Sequence, residues 1–337
     1  MGPNSMHRFD EWMELALYGA EGFYTVGGQA GRRGDFLTSP EVGPLFGAVL
    51  ARAIDAEWRR LGRPVDFTVV EAGAGPGTLA RTVFAARPEA LLAGALRYVC
   101  VETSAAQRAQ HPAGVISTDT VPDGPVTGIV VANELLDNLP FRLAVWDDGW
   151  REAYVIEQNG RYLETLLPLP APPPCLPTGG VPLGARAPLQ DRAAAWVVGA
   201  QQLLAHGRVV VFDYCTPVTA ALAVRPWREW LRTYRDQQRG AHYLVSPGSQ
   251  DITAEVCVDQ LSAGAGEPDS IRSQAQWLQF WGIDELVEEG RAVWAAKAHA
   301  PDLEAMKARS RVREAEALLD PNGLGGFTVL EWRVGGD

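Results

Sequence analysis

The sequence predicts an α/β fold with a mainly parallel, twisted sheet at its centre, and three observations predict it. Short apolar or β-branched runs recur at residues 67–70, 97–101, 127–132 and 209–212, each closed by a polar or acidic residue: Glu71, Glu102, Asn133 or Asp213. Runs of that length read as strands buried on both faces, as in a parallel sheet. Segments of helical period stand between them. After the first run comes Glu71-Ala72-Gly73-Ala74-Gly75-Pro76-Gly77, with glycine at every second position. This is a tight strand-to-helix turn at which a ligand can touch the main chain.

Composition narrows the function classes. A chain of 337 residues that is 47% hydrophobic fills a large core, as one elaborated domain or one domain with a substantial insertion. A net charge of -11 with no Lys/Arg cluster lacks the basic face of a nucleic-acid binder. Cys100, Cys175, Cys215 and Cys257 have neither metal-ligand spacing nor the density of a disulfide scaffold, which predicts no zinc and a reducing, cytoplasmic setting. Residues 1–5 lack a signal-peptide pattern, and no apolar run reaches membrane-spanning length.

In chain order, Phe9, Trp12, Met13 and Ala16 predict an amphipathic helix over 9–17, and glycines predict a loop over 19–34. Ser39-Pro40-Glu41 opens a helix with Ser39 as N-cap, running to about 61 with Leu45, Phe46, Val49, Ile54 and Trp58 on one side. On spacing alone, Asp35, Thr38 and Ser39 read as capping residues. A helix to about 86 follows the glycine turn. The second strand, 97–102, ends at Glu102, whose carboxylate can accept both vicinal hydroxyls of a ribose or cap the Thr103-Ser104 turn. A third strand, 114–118, leads to Asp119, which either reaches an adenine amino group or is a turn residue.

The fourth strand, 127–132, runs into Asn133-Glu134-Leu135-Leu136-Asp137-Asn138-Leu139-Pro140. A helical turn over 134–139 would put Asn133, Glu134 and Asp137 on one face, beside the glycine turn. Residues 141–167 alternate as hairpins, with Asn159-Gly160 as one turn. A proline-rich loop is expected over 169–188, a helix over 191–205 and a fifth strand over 208–213. A helical pattern spans 227–238, a turn and strand 251–258, and a small-residue loop 262–270. Helices at 273–280, 283–290 and 302–318 precede a last strand at 326–334. The partition is a helical segment at 1–62, a core at 63–140, 190–215 and 325–335, a β-hairpin insertion at 141–189, and an α+β region at 216–324.

The glycine turn departs from the dinucleotide fingerprint G-x-G-x-x-G. Its third glycine falls one position early and Thr78 occupies the expected place, which disfavours a nicotinamide cofactor. E-x-G-x-G-x-G instead resembles the first motif of S-adenosylmethionine-dependent methyltransferases. The chain as a whole resembles the MidA-like family, which includes the mitochondrial complex I assembly methyltransferase. The resemblance rests on Gly22-Phe23-Tyr24, on Gly34 to Glu41, on the glycine turn, on Asn133 to Pro140, on Asp213-Tyr214 and on Asp251 to Ala254.

That resemblance implies a Rossmann-like class I methyltransferase fold and S-adenosyl-L-methionine as cofactor. It implies cofactor contacts from Glu71, Gly73, Gly75, Gly77, Glu102, Asp119 and Asn133, with Asp35, Thr38 and Ser39 closing over them. It implies an arginine of a partner protein as acceptor. Glu134 and Asp137 would grip the guanidinium, with Asn133 orienting it. The acceptor half departs from the family pattern at Cys215 and at Glu255, where a glycine and a histidine are usual. A small-molecule acceptor and a non-catalytic cofactor-binding assembly factor are therefore the alternatives.

Overall fold

The computed structural model describes residues 5–26, 38–235 and 238–335. Its centre is a seven-stranded sheet. In chain order the strands are β1 (Phe67–Ala72), β2 (Leu96–Val101), β3 (Ile116–Thr118), β4 (Val126–Asn133), β5 (Leu204–Asp213), β6 (Ser270–Ser273) and β7 (Thr328–Val334). They lie in the order β6-β7-β5-β4-β1-β2-β3. Strands β5, β4, β1, β2 and β3 are parallel, and β7 is antiparallel to β5 and β6. The order reverses between β1 and β4, and ligands of open α/β sheets bind outside the carboxyl ends of strands at such a switch point.

Both faces are covered. Helices Pro44–Arg60, Thr78–Ala86 and Gln274–Phe280 pack on one face through Phe46, Val49, Leu79, Val83 and Trp277. Asp191–Gln202 and Val258–Ala265 pack on the other through Ala193, Val197 and Leu261. A second, antiparallel sheet is built from Arg142–Trp146, Trp150–Gln158, Arg161–Pro168 and Arg186–Leu189, and Met6–Arg8 pairs with it. The N-terminal helix Phe9–Tyr18 buries Phe9, Trp12 and Met13 against Phe141, Leu143, Trp230 and Ile252. This brings the N-terminal segment beside the carboxyl rim of the main sheet.

Several expectations need correction. The helix foreseen from Ser39 to about 61 is two helices, Ser39–Val42 and Pro44–Arg60. At Gly43 the chain approaches the buried Glu314 so closely that a Cβ would lie 2.3 Å from its carboxyl carbon, and Glu314 accepts the N–H of Leu45. Thr38, not Ser39, is the N-cap, and the Ser39 hydroxyl donates to Gln274 Oε1 at 2.8 Å. A short helix, Phe23–Val26, interrupts the glycine-rich loop. Within 169–188, Arg186–Leu189 is a strand, because Arg186 is drawn into a bidentate pair with Glu164. The segment from 227 is a short 3-10 turn and then the strand Leu231–Arg235, whose pairing with Asp251–Ala254 outweighs its helical spacing. Val258–Ala265 form a helix that takes up the end of the strand expected at 251–258 and the start of the loop expected at 262–270, because Val258 and Leu261 find a sheet face to cover. Helix Ile283–Lys297 outruns its expected end, packed along Leu303–Leu319.

Candidate active site

A cavity of about 390 Å³ opens at the carboxyl rim of β1, β2 and β4. That volume falls within the roughly 300–1,000 Å³ typical of small-molecule sites. One wall is the glycine turn from Ala72 to Pro76 with Thr78 and Leu79; another is Val101, Glu102, Thr103, Gln107 and Val121. The far side is formed by Asn133, Glu134, Asn138 and Pro140 with Tyr18 and Tyr24.

The turn has the shape its glycines allow. Gly73, Gly75 and Gly77 have φ of 66°, 53° and 76°, the left-handed region that side chains disfavour. A Cβ on Gly73 would stand 3.0 Å from Leu135, and one on Gly77 would stand 2.8 Å from Pro112. Gly73 and Gly75 face the cavity; Gly77 lies behind it as the cap of helix Thr78–Ala86. Thr78, the residue that breaks the dinucleotide pattern, donates its hydroxyl to Glu41 at 2.6 Å and ties that helix to the Ser39–Val42 segment.

Glu102 leaves the end of β2 with its carboxylate between two backbone donors, Gly75 N–H at 3.0 Å and Ser104 N–H at 2.8 Å. The turn-capping alternative is thus part of the structure, and Glu102 also faces the cavity. Glu71 is 5% exposed and accepts the Tyr98 hydroxyl at 2.8 Å. Burial pushes its carboxyl up to about 8, against the pull of Tyr98 and of the Ala80 backbone. It anchors the helix that follows the turn. Asp119 lies outside the cavity wall, exposed and 3.7 Å from Arg108. Asp35 lies outside the described residues, Thr38 lines the cavity, and Ser39 is fully buried.

The Asn133-Glu134 stretch differs from its expected form. Glu134 has φ of 52°, and only Leu136–Asn138 is helical, as a 3-10 turn. The helical face that was to join Asn133, Glu134 and Asp137 does not form, because the chain reverses at Glu134 to give its N–H to Phe212 of β5 at 2.8 Å. Asn133 and Glu134 still face the cavity, and Asn133 Nδ2 donates to Glu134 Oε1 at 3.0 Å. Asp137 sits below the cavity wall, 4% exposed, with Oδ1 lacking any hydrogen-bond partner.

Two acids that spacing did not single out complete this region. Asp213, fully buried at the end of β5, accepts N–H groups from Leu136 at 2.9 Å, Asp137 at 3.4 Å and Tyr214 at 2.9 Å. It pins the turn that carries Glu134. Asp251, also fully buried, accepts the Tyr24 hydroxyl and Asn138 Nδ2, each at 3.0 Å. The signals for Asp213 were its place at a strand end and the D-Y match; for Asp251 the D-I-T-A match was the one signal. Burial, then repulsion from Asp213, pushes Glu134 up to about 8; burial pushes Asp213 up to about 7. Asp137 is raised by burial and by Asp213, Asp251 and Glu134. Among the described residues no arginine, lysine or histidine pairs with Glu134, Asp137 or Asp213, and no group of His, Cys, Asp or Glu is placed to hold a metal ion. The cationic side chain in the cavity wall, Arg192, is paired with Glu14 and Asp10.

Known proteins share this fold. Residues 49–275 match the family described as "putative S-adenosyl-L-methionine-dependent methyltransferase". A crystal structure of a Burkholderia thailandensis protein bound to S-adenosyl-homocysteine superposes with a TM-score of 0.80 at 27% identity, over 98% of this chain and 89% of that one. A native crystal structure of a Burkholderia thailandensis protein of the same superfamily gives 0.77 at 27% identity, over 98% and 88%. Among curated proteins, the Drosophila melanogaster homologue of protein arginine methyltransferase NDUFAF7 is 43% identical over 74 residues, 22% of this chain and 17% of its own length. The Homo sapiens protein is 42% identical over 70 residues, 20% and 16%. The matched stretch thus spans less than a fifth of either curated relative.

Proposed function

This chain belongs to the family of S-adenosyl-L-methionine-dependent methyltransferases matched by its residues 49–275, and from that premise we propose that its acceptor is the guanidinium of an arginine on a partner protein. The observation that carries this reading is the set of carboxyls at the far side of the cavity, Glu134 with Asp137 and Asp213 beneath it, which pair with no cation of the described residues. Buried acids without a counter-charge favour a cationic guest. The names of the curated relatives point the same way.

The residues present fit the methyl donor. Left-handed glycines give a wall without side chains at Gly73 and Gly75, and Glu102 offers a carboxylate beside it for ribose hydroxyls. Bound there, the cofactor supplies an electrophilic methyl carbon on a sulfonium. The protein supplies alignment and dryness. Glu134 orients the guanidinium plane through charge-assisted hydrogen bonds and accepts the proton that the nitrogen loses as its bond to carbon forms. Asn133 and the backbone N–H of Ser39 fix the Glu134 carboxyl for that task. Tyr18 and Tyr24, stacked with centroids 5.5 Å apart, wall off the acceptor side.

Incubation of the full chain with methyl-labelled cofactor and a cell lysate, split into protein and small-molecule fractions, tests the reading. Label is expected in protein, recovered as methylarginine after hydrolysis. Label confined to small molecules, or to residues other than arginine, would overturn it.

A further inference from the structure

Resting on the cationic-acceptor reading, we propose that the carboxyls of Glu134, Asp137 and Asp213 together retain a proton in the free enzyme which leaves when a guanidinium binds, and that this exchange selects a cation over a neutral acceptor of the same shape. Of the three, Asp137 and Asp213 lie outside the cavity wall. Both sit directly beneath the turn whose Glu134 lines it.

The geometry sets up the exchange. Asp213 is fixed by N–H groups of Leu136, Asp137 and Tyr214, and peptide dipoles are the nearest compensation it has. Asp137 is 4% exposed and its Oδ1 has no partner, an arrangement that an added positive charge relieves and a neutral group does not. The groups packed around the pair are uncharged or acidic. The N-terminal helix presents Tyr18, whose hydroxyl donates to Asn138 O; the next helix presents Tyr24, bound to Asp251. The Ser39–Val42 segment presents the Ser39 N–H to Glu134, β4 presents Asn133 and Glu134, and β5 is followed by Tyr214. The Asp251–Ala254 strand presents Asp251.

Several carboxyls in one dry region cannot all ionise, so at least one proton stays while no cation is near. Burial already holds Glu134, Asp137 and Asp213 above the ordinary carboxylate range, and repulsion from neighbouring carboxyls adds to it at Glu134 and Asp137. A guanidinium against Glu134 reverses the local field, and the proton passes to solvent. By linkage, cation affinity then rises with pH across the titration of the cluster, while the affinity of an uncharged isostere does not.

Isothermal titration tests this with the full chain saturated in S-adenosyl-homocysteine, near neutral pH. The probes are Nα-acetyl-arginine methylamide and its citrulline counterpart, each titrated in two buffers of different ionisation enthalpy. About one proton released per arginine probe and none per citrulline probe is expected. Asp213→Asn should cut the release, but the wild-type counts decide the matter even if that variant fails to fold. Saturable arginine binding without proton release, or equal release with citrulline, overturns this inference and leaves the acceptor reading standing. Failure of the arginine probe to bind at all overturns both.

Discussion

Glu102 Oε2 accepts the backbone N–H of Gly75 at 3.0 Å, joining the end of one parallel strand to the glycine turn after its neighbour. The bond places a carboxylate at the switch point of the sheet, where the strand order reverses. His111 braces the same turn from behind, with Nε2 2.9 Å from Gly75 O and Nδ1 2.8 Å from Ser117 Oγ. The turn is therefore held by side chains at both the N–H and the C=O of one residue, Gly75.

Glu102→Ala removes that carboxylate. Charge-assisted hydrogen bonds contribute about 1.5–3 kcal/mol each, so loss of both ribose contacts should weaken S-adenosyl-homocysteine binding by roughly 10²–10⁴ by calorimetry. Unchanged affinity would remove Glu102 from the ribose role.

Glu134→Gln keeps the shape of the cavity wall and loses the proton acceptor. Turnover should fall by about 10²–10⁴ while S-adenosyl-homocysteine affinity stays within about twofold. Glu134 must be ionised to act, so wild-type kcat/KM should climb as pH rises through about 8, the value to which burial and Asp213 push it in the free protein. Asp213→Asn removes that repulsion and should move the rising limb to lower pH. A flat wild-type profile would contradict the base assignment.

Glu71 makes a stability prediction. Its carboxyl titrates near 8 in the fold against an ordinary 4.5, so the folded state holds the proton more tightly. The stability this contributes is fully present below about pH 4.5 and is lost as pH rises through 8. Glu71→Gln mimics the protonated form and should remove that loss, on the order of 5 kcal/mol, in urea melts compared at low and high pH. Parallel pH curves for variant and wild type would show Glu71 to be ionised in the fold.

Two glycines with similar backbone angles separate conformation from contact. Gly62 has φ of 81° and nothing within 4 Å of an added Cβ; Gly77 has φ of 76° and Pro112 at 2.8 Å. Gly62→Ala should cost about 1 kcal/mol, the left-handed penalty alone. Gly77→Ala should cost about 1–3 kcal/mol more, since the clash is added. Equal losses in urea melts would mean that Pro112 moves aside freely.

The order in which these features became legible has a physical basis. The core strands were plain because strands buried on both faces carry continuous apolar runs, and the acid at each strand end follows from the same pattern. The Glu102 and Glu134 placements could be read because each directly ends a strand. Asp213 was visible as a strand-ending acid, but its grip on the Leu136 N–H depends on the crossover that sets β5 beside β4. The pairing of Tyr24 with Asp251 spans 227 residues and has no local signature. Leu231–Arg235 misled because its arginines keep helical spacing while their partners are tertiary: Arg232 reaches Glu255, which also forms a bidentate pair with Arg225. The acid at the position where the family usually has histidine is thus held in a salt bridge rather than in the cavity wall.

On the proposed reading the methyl donor lies across the carboxyl rim, ribose at Glu102 and sulfur toward Asn133 and Glu134. A crystal structure of this chain with S-adenosyl-homocysteine tests it most directly. Both ribose hydroxyls are expected within hydrogen-bond distance of the Glu102 carboxylate, with the thioether sulfur facing the cavity space beside Glu134. A nucleoside bound away from Glu102, or a sulfur turned from Glu134 toward solvent, would contradict it.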